Sequence, residues 1–151
     1  MRTACIIFLC ALLANATFGD DDAVLDWDTA RMGTCIVALA TDAKGALWVG
    51  TEDHGVWRRD PDGWRGFTRR DGLGDDSVYA IACDRQGRMW LGHESSGVSV
   101  FTDGTWKHYP KIVGPLGERV YDIAVSPNAG EVCIATNLGI SIYRPASDDW
   151  R

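Results

Sequence analysis

Short apolar runs of five or six residues, separated by polar breaks, follow one another along the chain from residue 36 onward. The first set consists of IVALAT, ALWVGT, GVWRR and WRGFT, at residues 36–41, 46–51, 55–59 and 64–68. The breaks DAKG, EDH and DPDG contain Asp, Gly and Pro, which supply the backbone angles of tight turns. This alternation predicts short β-strands joined by tight turns.

The whole pattern recurs after 42 residues. ALWVGT at 46–51 returns as RMWLGH at 88–93, and a third copy follows, because VYDIAVS at 120–126 restates VYAIACD at 78–84. Four antiparallel strands in a repeat of about 40 residues are the blade of a β-propeller. The sequence therefore predicts an all-β fold, a partial β-propeller of three four-stranded antiparallel blades.

Burial explains why one unit is repeated. A single blade has two faces and cannot cover both alone, so neighbouring blades stack and bury them. We expect Trp48 and Trp90 to fill the gaps between blades rather than to form aromatic platforms for a ligand. The mostly apolar first strand of each copy is expected to lie innermost and to be nearly buried on both sides.

The first sixteen residues have a different character. Arg2 gives a positive end, an apolar run without charges covers residues 4–14, and Ala14-Asn15-Ala16 matches the small-x-small pattern before a cleavage site. We predict a signal peptide that is removed after Ala16, with a buried N-terminal helix as the alternative. The run is too short to span a bilayer as a helix.

The repeat also predicts how the chain is divided. The expected segments are a signal peptide (1–16), an N-terminal segment whose LDWDT resembles the fourth strand of another blade (17–35), and blades at 36–77, 78–119 and, incomplete, 120–151. Known propellers have about four to eight blades. The simplest interpretation is that the sequence is the N-terminal part of a longer propeller. A dimer that closes a ring of six blades through the exposed blade edges is the alternative.

Charge and cysteine content narrow the partners. Without residues 1–16 the chain has 14 Lys and Arg against 21 Asp and Glu, a net charge of −7. This charge argues against nucleic acid and anionic membranes, which need a basic face. Cys35, Cys83 and Cys133 are expected to be small buried hydrophobic residues, with one disulfide plus a free thiol or an intermolecular bond as alternatives. No Cys or His spacing indicates zinc, and we expect no metal or cofactor.

One motif carries a family resemblance. An inner strand ending in Asp leads to x-x-G-x-[LM]-W-[VLI]-G-[TH], then G-V/I, then W-x-x-[FY]-T, as in GALWVGT, GRMWLGH and WRGFTRRDGLGDDSV. This pattern, over residues 36–151, resembles the repeat of two-component regulator propellers. The third copy departs from it at Cys133 and Ala135, and His93 replaces Thr in the second copy. The resemblance implies a periplasmic or secreted bacterial sensor module, often the input domain of a hybrid histidine kinase, which recognises small molecules such as oligosaccharides.

Candidate binding residues lie in the loops of one end of the blades. Propeller ligands generally meet the end where second-to-third and fourth-to-first strand connections converge, and loops on a rigid frame often carry function. The candidates, which could hydrogen-bond a sugar or a carboxylate, are His54, Arg69, Arg70, His93 and Glu94. The competing interpretation is structural: solvated turns for the first three, and for His93 a strand residue bonded to backbone. A protein partner is an alternative to a small ligand.

Catalysis is the second function class that the sequence allows. His54 with Glu52, or His93 with Glu94, could act as a general base and its orienting partner in a lyase or hydrolase. The sequence has no nucleophile elbow, metal-ligand spacing or phosphate loop. We therefore predict a ligand-binding or interaction module without catalytic residues, and a purely structural docking face is a third possibility.

Overall fold

The computed structural model describes residues 35–111 and 114–151, and the predicted signal peptide and LDWDT strand lie outside them. Within the described residues, twelve strands form three four-stranded antiparallel sheets in which chain neighbours are sheet neighbours. They are β1 (Ile36–Thr41), β2 (Leu47–Thr51), β3 (Val56–Asp60), β4 (Gly63–Phe67), β5 (Val78–Cys83), β6 (Met89–His93), β7 (Val98–Thr102), β8 (Thr105–Tyr109), β9 (Val120–Val125), β10 (Val132–Thr136), β11 (Gly139–Arg144) and β12 (Asp149–Trp150). The predicted fold class is confirmed, and the three sheets are called blades 1, 2 and 3.

The first hairpin of a blade is organised by the Asp that follows the inner strand. The Asp84 carboxylate accepts hydrogen bonds from the backbone N–H groups of Gln86 and Arg88, at 2.9 and 3.0 Å. It also accepts the indole N–H of Trp90 at 2.8 Å. Gly87, in the same turn, has a φ of +78°, which glycine adopts readily. The Asp-x-x-Gly segment and the Trp of the repeat are therefore one unit, because the turn that Asp closes also orients the indole.

Four aromatic rings fill each gap between blades. The first gap contains Trp48 and Phe67 of blade 1 with Phe101 and Trp106 of blade 2, at centroid distances of 4.8–6.3 Å. The second gap contains the equivalent residues Trp90, Tyr109, Tyr143 and Trp150, at 4.8–6.1 Å. Trp48 and Trp90 are 1% and 0% exposed. They occupy the same place in successive blades, as the repeat predicts.

The inner strands are less buried than the sequence predicts. Leu39 in β1 and Tyr121 in β9 are 59% and 58% exposed, and most of β5 is only half-buried. For β1 and β9 the reason is the position of their blades. Strand β5 packs between β1 and β9, whereas blades 1 and 3 each have one neighbouring blade among the described strands.

The Gly of the LWVGT motif allows the next blade to approach closely. A Cβ on Gly92 would lie 2.8 Å from the Cβ of Val120 in blade 3, and one on Gly50 would lie 2.6 Å from the Val78 carbonyl oxygen. The equivalent residue of blade 3 is Ala135, which alternates with the fully buried Ile134 and so lies on the face turned away from blade 2. Ala135 thus replaces the Gly of the motif at a position against which no described strand packs.

We expect Gly92→Ser to lower the free energy of unfolding by about 1–3 kcal/mol, because the side chain overpacks the contact with β9. Ala135→Ser introduces the same side chain on the other face of its sheet and should change stability by only about 0.5 kcal/mol. Urea denaturation followed by tryptophan fluorescence measures both. Equal losses in the two variants would contradict the close-approach explanation.

The three cysteines among the described residues form no disulfide with one another, and the prediction of burial is wrong for one of them. Cys83 and Cys133 are half-buried, whereas Cys35 is exposed. Cys35 is exposed because it precedes β1 at the blade end, where its carbonyl oxygen accepts the N–H of Glu52 at 3.0 Å. Burial raises the pKa of the Cys83 thiol.

Candidate functional site

The loops between second and third strands share one end of the blades with the connections between blades. The N–H of Gly55 donates to the carbonyl oxygen of Asp76 at 2.7 Å, and that of Gly97 donates to the carbonyl oxygen of Glu118 at 2.9 Å. Each bond ties the β2–β3 or β6–β7 loop of one blade to the connection that enters the next. We call this side, with the β10–β11 loop of blade 3, the loop end.

A row of polar side chains crosses all three blades at the loop end. The phenol of Tyr79 in blade 2 donates to Glu52 Oε1 of blade 1 at 3.5 Å. Glu94 Oε1 of blade 2 accepts a hydrogen bond from Arg119 Nη2, beside β9 of blade 3, at 2.8 Å. We call these four residues the polar arc. Their side-chain hydrogen bonds link blade 1 to blade 2, and blade 2 to blade 3.

The repeat places an acceptor at the same point of each blade. Glu52, Glu94 and Asn137 are each the first residue after the second strand of their blades. In blade 3, Asn137 Oδ1 accepts the backbone N–H of Arg119 at 3.2 Å. Tyr121 is the blade 3 equivalent of Tyr79, and most of its side chain is exposed. The arc therefore continues toward blade 3 with further polar groups.

The charges of the polar arc act on one another. Burial raises the pKa of the Tyr79 phenol, and the negative charges of Glu94 and Glu52 raise it further, against the opposing effect of Arg119. Tyr79 is therefore a neutral hydroxyl donor at physiological pH. The side chains of Arg119 and Glu94 are 52% and 41% exposed, so they can exchange their mutual hydrogen bond for bonds to a ligand. The arc offers both donors and acceptors, which suits a ligand with several hydroxyl groups.

Glu94 is the predicted site residue that lies in the polar arc. Arg69 and Arg70 lie in a single 3₁₀ turn, Arg69–Asp71, in the connection from blade 1 to blade 2. Thr68 caps this turn, and its N–H donates to Asp71 Oδ2 at 2.8 Å. Both arginine side chains are exposed at the loop end, where the described residues offer them no ion pair.

The two predicted histidines occupy opposite environments. His54 is exposed, its ring pairs with Asp53, and its backbone N–H donates to Thr51 Oγ1 at 2.9 Å. His93 is 0% exposed, so no atom of its ring is available for a ligand to touch in this structure. The loop residues are therefore candidates for ligand binding, whereas His93 is not.

His93 is a fully bonded core residue. Its Nδ1 lies 3.3 Å from the Ser77 carbonyl oxygen, and its Nε2 lies 2.7 Å from Ser99 Oγ. A carbonyl oxygen only accepts, so Nδ1 carries the proton and Nε2 accepts from the Ser99 hydroxyl. Burial lowers the pKa of His93 to about 4. The ring is therefore neutral at physiological pH and joins β6 to β7 and to the end of the incoming connection.

The contacts formed by these side chains differ from those that a general base would need. Glu94 pairs with Arg119 and Glu52 with Tyr79, whereas His54 pairs with Asp53. The structure forms neither the His54–Glu52 nor the His93–Glu94 pair of the lyase alternative. Within residues 35–111 and 114–151, no three His, Cys, Asp or Glu side chains are grouped so that they could hold a metal ion.

Tyr79 and Arg119 were not among the site residues predicted from the sequence. The repeat contains a signal for both. Tyr79 of the second copy corresponds to Val37 of the first and to Tyr121 of the third. Arg119 corresponds to Cys35 and Ser77 of the earlier copies. The residue type at these two positions differs between copies, so the blade fold does not depend on it. Variable positions of this kind near loops are candidates for a function.

The fold and the comparisons together define the class of protein. Three stacked four-stranded antiparallel blades are an arc of a β-propeller. The family model described as two component regulator propeller matches residues 31–53 and 72–95. The resemblance seen in the sequence is therefore confirmed, and these two segments match the repeat of two-component regulator propellers. No curated protein has a significantly similar sequence.

Solved structures show the same fold. The extracellular domain of BT3049 from B. thetaiotaomicron, described as a hybrid two component system, is 24% identical with a TM-score of 0.66 over 76% of this chain and 16% of that chain. Two structures of the BT4673 extracellular domain from the same organism are 19% and 14% identical, with TM-scores of 0.58 and 0.63. They match 71% and 77% of this chain, which spans 15% and 18% of theirs. No helix in the part of the chain that the structure describes is long and apolar enough to cross a membrane.

Proposed function

We propose that the chain is an extracytoplasmic sensor module of the two-component regulator propeller type that binds a small ligand rich in hydroxyl groups, such as an oligosaccharide, at the loop end. The family repeats support the sensor class. The similar solved structures are extracellular domains of two-component and one-component systems, which supports a location outside the cytoplasm together with the signal peptide predicted at residues 1–16.

The polar arc is the observation that carries this proposal. Its donors and acceptors come from blades 1 and 2 and from the connection into blade 3. Buried aromatic rings hold the blades together, so the binding groups are ordered before a ligand arrives. Ordering before binding reduces the entropy lost on association. The hydroxyls of a sugar would accept from Tyr79 and Arg119 and donate to Glu52 and Glu94. The exposed Arg69, Arg70 and His54 lie on loops of the same end and provide further polar contacts for a longer ligand.

The decisive variant is Arg119→Gln, tested against a panel of oligosaccharides by titration calorimetry. We expect the tightest ligand of the panel to lose affinity by about tenfold or more, because a hydrogen bond to a charged group contributes about 1.5–3 kcal/mol. Arg85→Gln is the matched control. Arg85 is also exposed and also bridges blade 2 to blade 3, through the Pro127 and Asn128 carbonyl oxygens, but it does so at the opposite end.

Two results would contradict the proposal. Equal losses in the two arginine variants would show that the polar arc is not the binding site. Cleavage of the bound oligosaccharide during incubation, detected by chromatography, would support the lyase or hydrolase alternative instead of a binding module.

A further inference from the structure

A cleft of about 450 Å³ opens between blades 2 and 3, away from the loop end. Strands β7 and β8 form one wall, and Tyr143 with the β11–β12 turn forms the other. Thr102 and Thr105, which flank the β7–β8 turn at the end opposite the loop end, lie at its edge. The volume falls within the range of about 300–1,000 Å³ that is typical of small-molecule sites.

The two gaps take their guanidinium groups from different positions of the repeat. Arg58 of blade 1 is paired in its sheet with Trp48, and its equivalent Val100 of blade 2 is paired with Trp90. The Arg58 guanidinium lies 5.5 Å from the Trp48 ring centroid and 2.7 Å from Asp60 Oδ1, so it fills the first gap. Val100 is much shorter than arginine. In the second gap the guanidinium of Arg88 lies over the equivalent rings, those of Trp90 and Tyr143, and Val100 lines the cleft beside it.

Hydroxyl groups are more numerous in the second gap than in the first. Three positions gain a hydroxyl group: Phe67 corresponds to Tyr109, Phe101 to Tyr143, and Asp60 to Thr102. The ring arrangement is conserved in spite of these exchanges, since Trp48–Phe67 and Trp90–Tyr109 are both stacked. The second gap thus keeps the packing of the first while adding hydrogen-bonding groups at the cleft.

Two cations line the cleft. The Arg88 guanidinium lies over Trp90 and Tyr143, 5.4 and 5.5 Å from the ring centroids, and its Nε lies 2.6 Å from Asp84 Oδ2. Arg88 Nη2 is buried. The Lys107 ammonium lies 4.5 Å from the Tyr109 ring centroid. Because Arg88 Nη2 is enclosed, the exposed ammonium of Lys107 is the cation that a carboxylate in the cleft can reach.

Asp148 gives the cleft an acceptor as well. It accepts the hydroxyl of Tyr143 at 2.7 Å, and the two residues lie on the wall facing Lys107. A ligand that carried only negative charge would be repelled by Asp148, whereas a ligand with hydroxyl groups could donate to it. The cleft is therefore suited to a molecule with a carboxylate at one side and hydroxyls at the other.

We propose that this cleft binds a small hydroxylated carboxylate, of which a sugar acid is the simplest example. Lys107 holds the carboxylate, and Thr102 and Asp148 bind hydroxyl groups. The site is separate from the polar arc and uses none of its residues. Binding at the cleft therefore goes beyond the function proposed for the loop end. It does not depend on whether the loop end binds a ligand.

Titration calorimetry with glucuronate tests the proposal, and glucose serves as the neutral probe of similar shape. We expect glucuronate to bind at least tenfold more tightly than glucose, because only glucuronate has the carboxylate. Lys107→Gln should weaken glucuronate binding by about tenfold. The matched control is Arg65→Gln, since Arg65 has the same place beside the filled first gap, where it lies over Phe67.

Val100→Arg should abolish glucuronate binding, because the longer side chain occupies the cleft that Val100 lines. If Val100→Arg does not fold, Lys107→Gln and Thr102→Val carry the test, since both replace residues at the edge of the cleft. Equal binding of glucose and glucuronate, or equal losses in Lys107→Gln and Arg65→Gln, would overturn the proposal. Loss of glucuronate binding in Arg119→Gln but not in Lys107→Gln would overturn it too, because the carboxylate would then bind at the loop end.

Discussion

Trp90→Ala should lower the free energy of unfolding by about 3–5 kcal/mol, the range typical of a large aromatic side chain removed from a core. Trp90 is 0% exposed and packs against Tyr109 of its own blade and against Tyr143 and Trp150 of blade 3. Its removal leaves a cavity where blades 2 and 3 meet. The indole N–H that Asp84 accepts is also lost, so a buried carboxylate loses one of its partners.

Urea denaturation at constant pH measures this change. Cys133→Ala is the matched control, because Cys133 is the residue of blade 3 at the same phase of the repeat. It is half-buried and alternates with Ile134 on the face turned away from blade 2, so we expect a loss below about 1 kcal/mol. Trp90→Phe should give an intermediate loss, since it keeps a ring but removes the hydrogen bond to Asp84. A loss in Trp90→Ala no larger than that in Cys133→Ala would disprove the assignment of Trp90 to the inter-blade core.

Acidification should destabilise the fold through His93, by up to about 3 kcal/mol between neutral pH and pH 4. Burial lowers the pKa of His93 from 6.5 to about 4, so the unfolded chain binds a proton in this interval while the folded chain does not. Unfolding therefore takes up a proton, and stability rises with pH across the interval. The contribution is complete above the unfolded pKa and is lost as pH falls through the folded one.

His93→Thr removes this dependence while keeping a residue that the blade accepts. Thr51 and Thr136 occupy the same place in blades 1 and 3, where their hydroxyls donate to the carbonyl oxygens of Gly55 and Gly139. We expect urea midpoints of the variant to vary less between pH 7 and pH 4 than those of the unchanged protein. His54→Thr makes the same replacement at an exposed position and is the matched control. A slope that persists in His93→Thr would assign the acid sensitivity to other groups.

Much of the fold could be predicted from local chemistry. The run IVALAT was predicted at 36–41 and is β1, and ALWVGT at 46–51 contains β2, which begins one residue later. These elements follow from apolar runs of strand length between turns that Asp and Gly favour. The place of Trp48 and Trp90 between blades was predictable as well, since residues at one phase of a stacked repeat face the same neighbour.

The sites were harder to predict because their groups come from different copies of the repeat. Glu94 was identified from its loop, but its partner Arg119 is 25 residues away and lies in the next blade. The sequence at His93 shows a polar residue near a loop, and only the packing of β6 between two blades shows that the ring is enclosed. The exposure of Cys35 has a similar cause, since it depends on where β1 begins at the blade end.

The sequence by itself determined the all-β class, the 42-residue blade and the identity of the indoles that join the blades, because turn chemistry and apolar periodicity act between residues close in the chain. Tertiary structure alone decided which side chains meet across the blades. The bond between Glu94 and Arg119 and the open cleft beside Val100 depend on the distance between stacked sheets and on the length of the side chains that face each other there. That distance is set by packing between blades, and no single copy of the repeat contains it.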